Sequence, residues 1–240
     1  MAKIKKVDES IRETKRDREH FNKCIALWTE KIKDEEELLA ENKDEAHKEW
    51  YQHRISMIYV YYCEIANAMY SRGDSLESVR ECFQKAWDKG QEDEWFIDTG
   101  HYYRVAFAYC LGFDTSKALA LLQAISDSKE IKKRKKYPSH EFIPFFIASQ
   151  GKISELGDYI LEKWIYEDLE KFILEGRNIE YFHSFLKKWY RRYASGFWAG
   201  SWKHDSYTGC WNYVAGAVVK ILGLNKDEFR EDRYFPYDLA

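Results

Sequence analysis

Apolar residues recur along the amino-terminal third at the spacing of a helix. Phe21, Ile25, Trp28 and Ile32 are separated by four, three and four positions, and Tyr51, Ile55, Ile58, Tyr62, Ile65 and Met69 continue the rhythm. A period near 3.6 places each set on one helical face. The charged stretch from Glu41 to Glu49 lies between the two sets and can host a bend. The pattern predicts two long helices folded back as an antiparallel hairpin. A coiled-coil homodimer is the competing reading, but the seam lasts only about three heptads, which favours the intramolecular hairpin.

Local punctuation predicts the elements that follow. Gly73 breaks the second helix, and Asp74 with Glu77 forms a capping-box-like start for a third. Its apolar stripe is Leu76, Val79, Phe83 and Trp87, and Gly90 is expected to end it. A fourth helix from about Glu92 to Leu111 carries Phe96, Tyr103, Phe107 and Cys110 and stops at Gly112. Asp114 or Thr115 then caps a fifth through Ala118, Leu122 and Ile125. The basic segment Lys129 to Pro138, nearly free of apolar residues, reads as a boundary between an amino-terminal helical domain, 1–128, and a carboxyl-terminal one, 129–240.

In the second half, Phe142 to Ala148 is apolar, and a helix is expected from about Ser154 to Leu174, ended by Gly176. Ile179, Phe182, Leu186, Trp189 and Tyr193 line the next helix. A Gly-, Ser- and Trp-rich loop from Ser195 to Ser206 leads to a last long helix from about Tyr207 to Leu222, stopped by Gly223, and Asn225 with Glu228 starts one final turn. Strand alternation and fixed-period repeats are missing. The expected fold class is all-α: a long amino-terminal helical hairpin followed by a multi-helix bundle, in two packed helical subdomains.

Composition changes this picture little. Three prolines and twelve glycines are too few for a sheet protein dense in tight turns, while 45% hydrophobic and 17% aromatic residues allow a sizeable core. A net charge of -3 carries no nucleic-acid footprint. The opening MAKIKKVDES has no apolar signal region, and no apolar run approaches the roughly 18 residues of a bilayer span, so a soluble cytoplasmic protein with no membrane contact is expected. Five widely spaced cysteines without a C-x-x-C pair form neither a disulfide framework nor a zinc site.

Catalytic chemistry is hard to assemble from these residues. His204-Asp205 is the dipeptide that HD-type metal phosphohydrolases use, with His140 or His183 and Asp227 or Asp232 available as partners. It falls in the Gly/Trp-rich loop, and only 35 residues follow Asp205. No HExxH, nucleophile elbow or phosphate-binding glycine loop occurs. The run Lys132 to Lys136 reads as a solvated linker, and Glu35 to Glu37 and Glu92 to Glu94 as solvated helix faces, unless a basic partner exists. Phe197, Trp198, Trp202, Tyr207, Trp211 and Tyr213 form a dense aromatic cluster suited to packing or, alternatively, to anchoring a protein partner. The residues therefore predict no enzyme, no metal and no cofactor.

The carboxyl end carries a resemblance. Tyr207-Thr208-Gly209-Cys210-Trp211, the small-residue segment Asn212 to Ala217, Leu222-Gly223-Leu224 and Tyr234-Phe235-Pro236-Tyr237-Asp238-Leu239 resemble the ending of PoNi-type immunity proteins. Lys187-Lys188-Trp189-Tyr190 and the Trp198 to His204 loop resemble the approach to that motif. Arg16-Asp17 and Tyr70-Ser71-Arg72-Gly73-Asp74 resemble the family's amino-terminal region. Two positions depart from the pattern: Val214 stands where a Glu is expected and Cys210 where a Tyr is. The resemblance implies a bacterial antitoxin that binds and blocks a secreted nuclease toxin without turnover and without touching nucleic acid itself. A helical adaptor for another protein is the alternative. Tyr70, Arg72, Gly73, Asp74, Trp189, Tyr190, Tyr207, Gly209, Trp211, Pro236, Tyr237 and Asp238 are expected to be structural. The expected toxin contacts are Glu92, Asp93, Glu94, Asp227, Glu228, Glu231 and Asp232, with Trp198, Trp202 and Asp205 in the loop.

Overall fold

The structure, a computed structural model, describes residues 11–42, 48–92, 102–120, 142–152, 165–197 and 201–240. All regular structure among them is helical, as the periodicity predicted. The chain divides into two compact units, one built from Met1–Phe96 with Gly200–Cys210 and the other from Ile97–Ala199 with Trp211–Ala240. The boundary expected at 128/129 lies outside the described residues, and the compact units divide the chain elsewhere. A short carboxyl-terminal segment joins the amino-terminal unit, a placement that no local pattern signals.

The first unit contains the expected hairpin. α1 spans Arg18–Glu41, α2 Lys48–Arg72 and α3 Leu76–Glu92. Glu35 pairs with Arg54 at 2.9 Å, Trp28 stacks on Tyr61 and Asn22 accepts from Arg72, so α1 and α2 run antiparallel. Glu35 is therefore a buried ion-pair partner rather than part of a solvated face, while Glu36 and Glu37 are exposed. Ile32, Ile58, Tyr61 and Ile65 form one buried cluster, and Phe21, Cys24 and Ala68 another. α2 packs on α1 and also on α3. That two-sided burial explains a departure from the single stripe read in the sequence: Tyr59, Cys63, Ala66 and Tyr70 are buried as well, whereas Tyr51 is exposed. The expected bend residues 43–47 lie outside the described residues.

Helix ends follow local chemistry with some displacement. Asp17 caps α1 by accepting from the backbone of His20. The third helix is capped by Ser75, whose hydroxyl accepts from the backbone N–H of Ser78, and not by Asp74. Asp74 is already committed to a two-pronged ion pair with Arg72. α3 runs through Gly90 to Glu92, because a glycine in helical conformation costs only about 1 kcal/mol. Gly73, Gly112, Gly176 and Gly223 all adopt positive φ at the expected stops.

In the second unit, α4 (Tyr102–Cys110), α5 (Phe142–Ala148) and α8 (Tyr213–Leu222) pack together, and α6 (Glu167–Leu174) packs on α7 (Ile179–Phe197). Phe107 stacks on Tyr213 with ring centroids 4.1 Å apart. All seven residues of α5 are buried. After Gly112, residues 116–120 are helical; Asp114 turns its carboxylate to Ser116, and Thr115 donates to the Ala148 carbonyl instead of capping. Of the helix expected from Ser154 to Leu174, the part up to 164 lies outside the described residues, and a turn at 165–166 precedes α6. α7 extends three residues into the expected loop, to Phe197. The largest correction concerns the last helix, which starts at Tyr213 rather than Tyr207. Gly209 sits at φ 119, outside helical space, and Asn212 caps α8 by accepting from Ala215.

Candidate functional site

The segment 201–210 is where backbone, buried polar groups and exposed side chains meet. A single 3-10 turn, Ser201–Lys203, opens it. A stripe on the α1 side then takes up its carbonyls. Arg16 donates through its guanidinium to the Trp202 and His204 oxygens. The Cys24 thiol donates to Asp205 O at 2.8 Å and Tyr207 O at 3.3 Å. His20 Nε2 lies 2.7 Å from Tyr207 O, which requires the proton on that nitrogen. Burial pushes the Cys24 thiol up to about 11, so it stays a neutral donor.

Tyr207-Thr208-Gly209 is held still more firmly. Tyr207 OH donates to the buried Glu13 carboxylate at 2.7 Å. Thr208 Oγ1 donates to Glu64 at 2.6 Å and accepts from Asn67 at 3.0 Å. Ser71 Oγ donates to Thr208 O, and Asn67 also donates to Gly209 O. Glu64, Asn67 and Ser71 fall at spacings of three and four, so one polar stripe of α2 grips the motif. At the end of α2, Arg12 donates to the Tyr70 and Asp74 carbonyls and lies over the Tyr70 ring, placing a cation at the negative pole of the helix. Sequence reasoning missed Glu13, His20, Cys24, Glu64, Asn67 and Ser71. The one available signal was polar residues recurring at helical spacing beside an apolar seam.

The second unit carries the rest of the carboxyl-terminal pattern. Asn212 N donates to Tyr234 O, and Tyr234 stacks on Tyr190 with centroids 4.3 Å apart and lies near Trp189. Gly216 passes so close to Pro236 that an added Cβ would lie 2.8 Å from its Cγ. Cys110 donates to Tyr213 O, while Lys220 donates to Cys110 O. Phe229 and Phe235 bury against each other, and Phe182 contacts Phe229. Val214 is 2% exposed, so a Glu at this position would place a carboxylate in the core; an apolar residue suits the site.

Residues 207–209 are fastened within the first unit, and the Tyr-Phe-Pro-Tyr-Asp-Leu tail packs on α8 within the second. The family of PoNe immunity proteins (PoNi) matches twice, its amino-terminal model over residues 3–112 and its carboxyl-terminal model over 141–239. The chain belongs to the PoNi family. No curated protein and no solved structure matches it.

Within this PoNi chain the residues expected to be structural differ in their surroundings. Tyr70, Trp189, Tyr207, Trp211 and Pro236 are buried; Arg72 and Asp74 pair with each other, and Asp238 is exposed. Tyr237 is half-buried, with the Arg230 guanidinium over its ring and its hydroxyl donating to Asp227. The expected toxin contacts scatter. Glu92 ends α3, while Asp93, Glu94 and Trp198 lie outside the described residues. Trp202 and Asp205 are exposed in the fastened segment. Asp227, Glu228 and Glu231 are exposed in the second unit. Asp227 is engaged, with hydrogen bonds from Tyr237 and then Arg230 holding its carboxyl below the ordinary range. Asp232 is half-buried and accepts from the Tyr234 backbone, and burial pushes its carboxyl up. His204 is exposed and belongs to the first unit, His183 and Asp232 belong to the second, and His140 lies outside the described residues. Among the described residues no group of three or more His, Cys, Asp or Glu side chains is arranged to hold a metal ion, and no helix is long and apolar enough to cross a membrane.

Proposed function

We propose that the protein is a stoichiometric inhibitor that binds a cognate PoNe nuclease toxin and blocks it without turnover, in the bacterial cytoplasm. The observation that carries this reading is the match to both halves of the PoNe immunity family. The chemistry of the fastened segment supports it. His20, Cys24, Glu13 and Glu64 are the groups that would otherwise suggest acid–base or nucleophilic work, and each is occupied in holding the backbone or side chains of 205–208. Such groups position a surface rather than attack a substrate. A partner complex of this kind buries on the order of 1,600 Å² in total. Acidic residues at the rim would speed capture of a nuclease whose cleft must attract phosphate.

Co-expression with the toxin encoded by the neighbouring gene tests the proposal. Cells should survive, and toxin and inhibitor should elute together from a sizing column at a fixed ratio. Continued killing with no complex overturns the reading for that pair.

A further inference from the structure

We infer that Trp202 is the anchor of the toxin-facing surface, and that Arg16, His20 and Cys24 are positioning residues that hold its loop in the binding shape before the partner arrives. The inference rests on the proposed inhibitor function and assigns it a contact surface. Among the described residues Trp202 is one of two exposed large hydrophobic side chains, at 37% exposure. The other, Tyr51 at 45%, sits on the regular surface of α2. Trp202 is different because it lies in a short 3-10 turn, with its backbone oxygen held by Arg16 while part of its side chain faces solvent. The oxygens of residues 202, 204, 205 and 207 are all taken by Arg16, His20 and Cys24. His20 and Cys24 lie one turn apart on α1, and Arg16 stands just before the Asp17 cap, so the start of α1 and the residue leading into it hold the loop carbonyl by carbonyl.

Rigidity of this kind has a direct consequence for binding. A loop that must order on association costs affinity, whereas a loop ordered by folding does not. Trp is over-represented among residues that dominate binding, and it is most effective when surrounded by contacts that exclude water. Lys203, His204, Asp205 and Ser206 are all exposed and provide a polar rim, and the Lys203 ammonium sits 5.5 Å from the Trp202 ring centroid. The complementary feature is an apolar slot on the toxin, wide enough for an indole and bordered by hydrogen-bond acceptors for the indole N–H and Lys203.

The experiment measures binding kinetics of the full-length chain to a catalytically inactivated form of the neighbouring toxin. Trp202→Ala should dissociate at least ~30-fold faster with an unchanged melting temperature, the size expected of a dominant anchor. Arg16→Gln should weaken binding by roughly 3–10-fold and accelerate amide exchange in 202–206 of the free protein. In a Trp202→Ala background, Arg16→Gln should have no further effect, because a positioning residue acts through the anchor. If the wild-type chain binds and Trp202→Ala binds within threefold of it, the anchor inference is overturned while the inhibitor function stands. If the two substitutions add fully, the positioning role is overturned. If the wild-type chain itself does not bind, it is the inhibitor function that falls for that pair.

Discussion

Thr208→Val is the sharpest test of how Tyr207-Thr208-Gly209 is held within the amino-terminal unit. The substitution keeps volume and β-branching and removes only the hydroxyl. That hydroxyl is 2% exposed at the residue level, donates to Glu64 Oε2 at 2.6 Å and accepts from Asn67 Nδ2 at 3.0 Å. A neutral hydrogen bond contributes about 0.5–1.5 kcal/mol and one to a charged group about 1.5–3. Losing both should therefore cost about 2–4 kcal/mol, and stripping a donor from the Glu64 carboxylate favours the upper part of that range. For a chain of this size each kcal/mol lowers the melting temperature by about 2–4 °C. Urea unfolding followed by circular dichroism should show a lower midpoint at an unchanged slope. Thr208→Ser provides the control, since it deletes a methyl group but keeps the hydroxyl, and should cost only about 1 kcal/mol. A Thr208→Val protein within about 0.5 kcal/mol of wild type would refute the reasoning. So would a Thr208→Ser protein less stable than Thr208→Val, because packing of the methyl group would then outweigh the hydrogen bonds.

Other outcomes follow from the same geometry. Gly216→Ala should destabilise the second unit by about 1–3 kcal/mol through overpacking, because the new methyl would meet Pro236 Cγ at 2.8 Å and Cys110 Sγ at 3.4 Å; thermal unfolding checks it. Asp232 carries a carboxyl that burial raises above its ordinary 3.8, so the native state holds its proton more tightly than the unfolded chain. That contribution is most favourable below 3.8 and declines as pH rises through the raised value, and Asp232→Asn should flatten this part of a stability-versus-pH curve. Charge reversal of Glu92, Asp93 and Glu94 together should slow association with the toxin about tenfold at low salt and much less at 0.15 M, where screening acts over about 8 Å; equal rates at low salt would remove this cluster from the interface.

The resemblance at residues 207–239 was legible because it lies in residue identities, and the family match bears it out. The candidate site was legible only in part. Trp202 and Asp205 stand out as an aromatic and an acid in a loop, and both are exposed. The groups that fasten that loop were not legible. Arg16 and Trp202 are 186 positions apart, Tyr207 and Glu13 194, and neither pairing leaves a periodic trace. Tyr207 to Trp211 also read as the start of a helix, since nothing local shows that their polar groups are satisfied elsewhere. The Asp74 cap misled for a related reason: a competing cation, Arg72, claimed the carboxylate.

What the sequence by itself determined is whatever depends on neighbours within a few turns. Helical class, the two apolar faces of the hairpin, and the stops at Gly73, Gly112, Gly176 and Gly223 follow from period and from the positive φ that glycine tolerates. The tertiary structure alone decided that residues 201–210 are built into the amino-terminal unit, and that Glu13, His20, Cys24, Glu64, Asn67 and Ser71 serve as their receptors. A hydrophobic face announces itself through repetition, because any apolar neighbour will cover it. A buried polar group needs one particular partner at one distance, and that partner can come from anywhere along the chain.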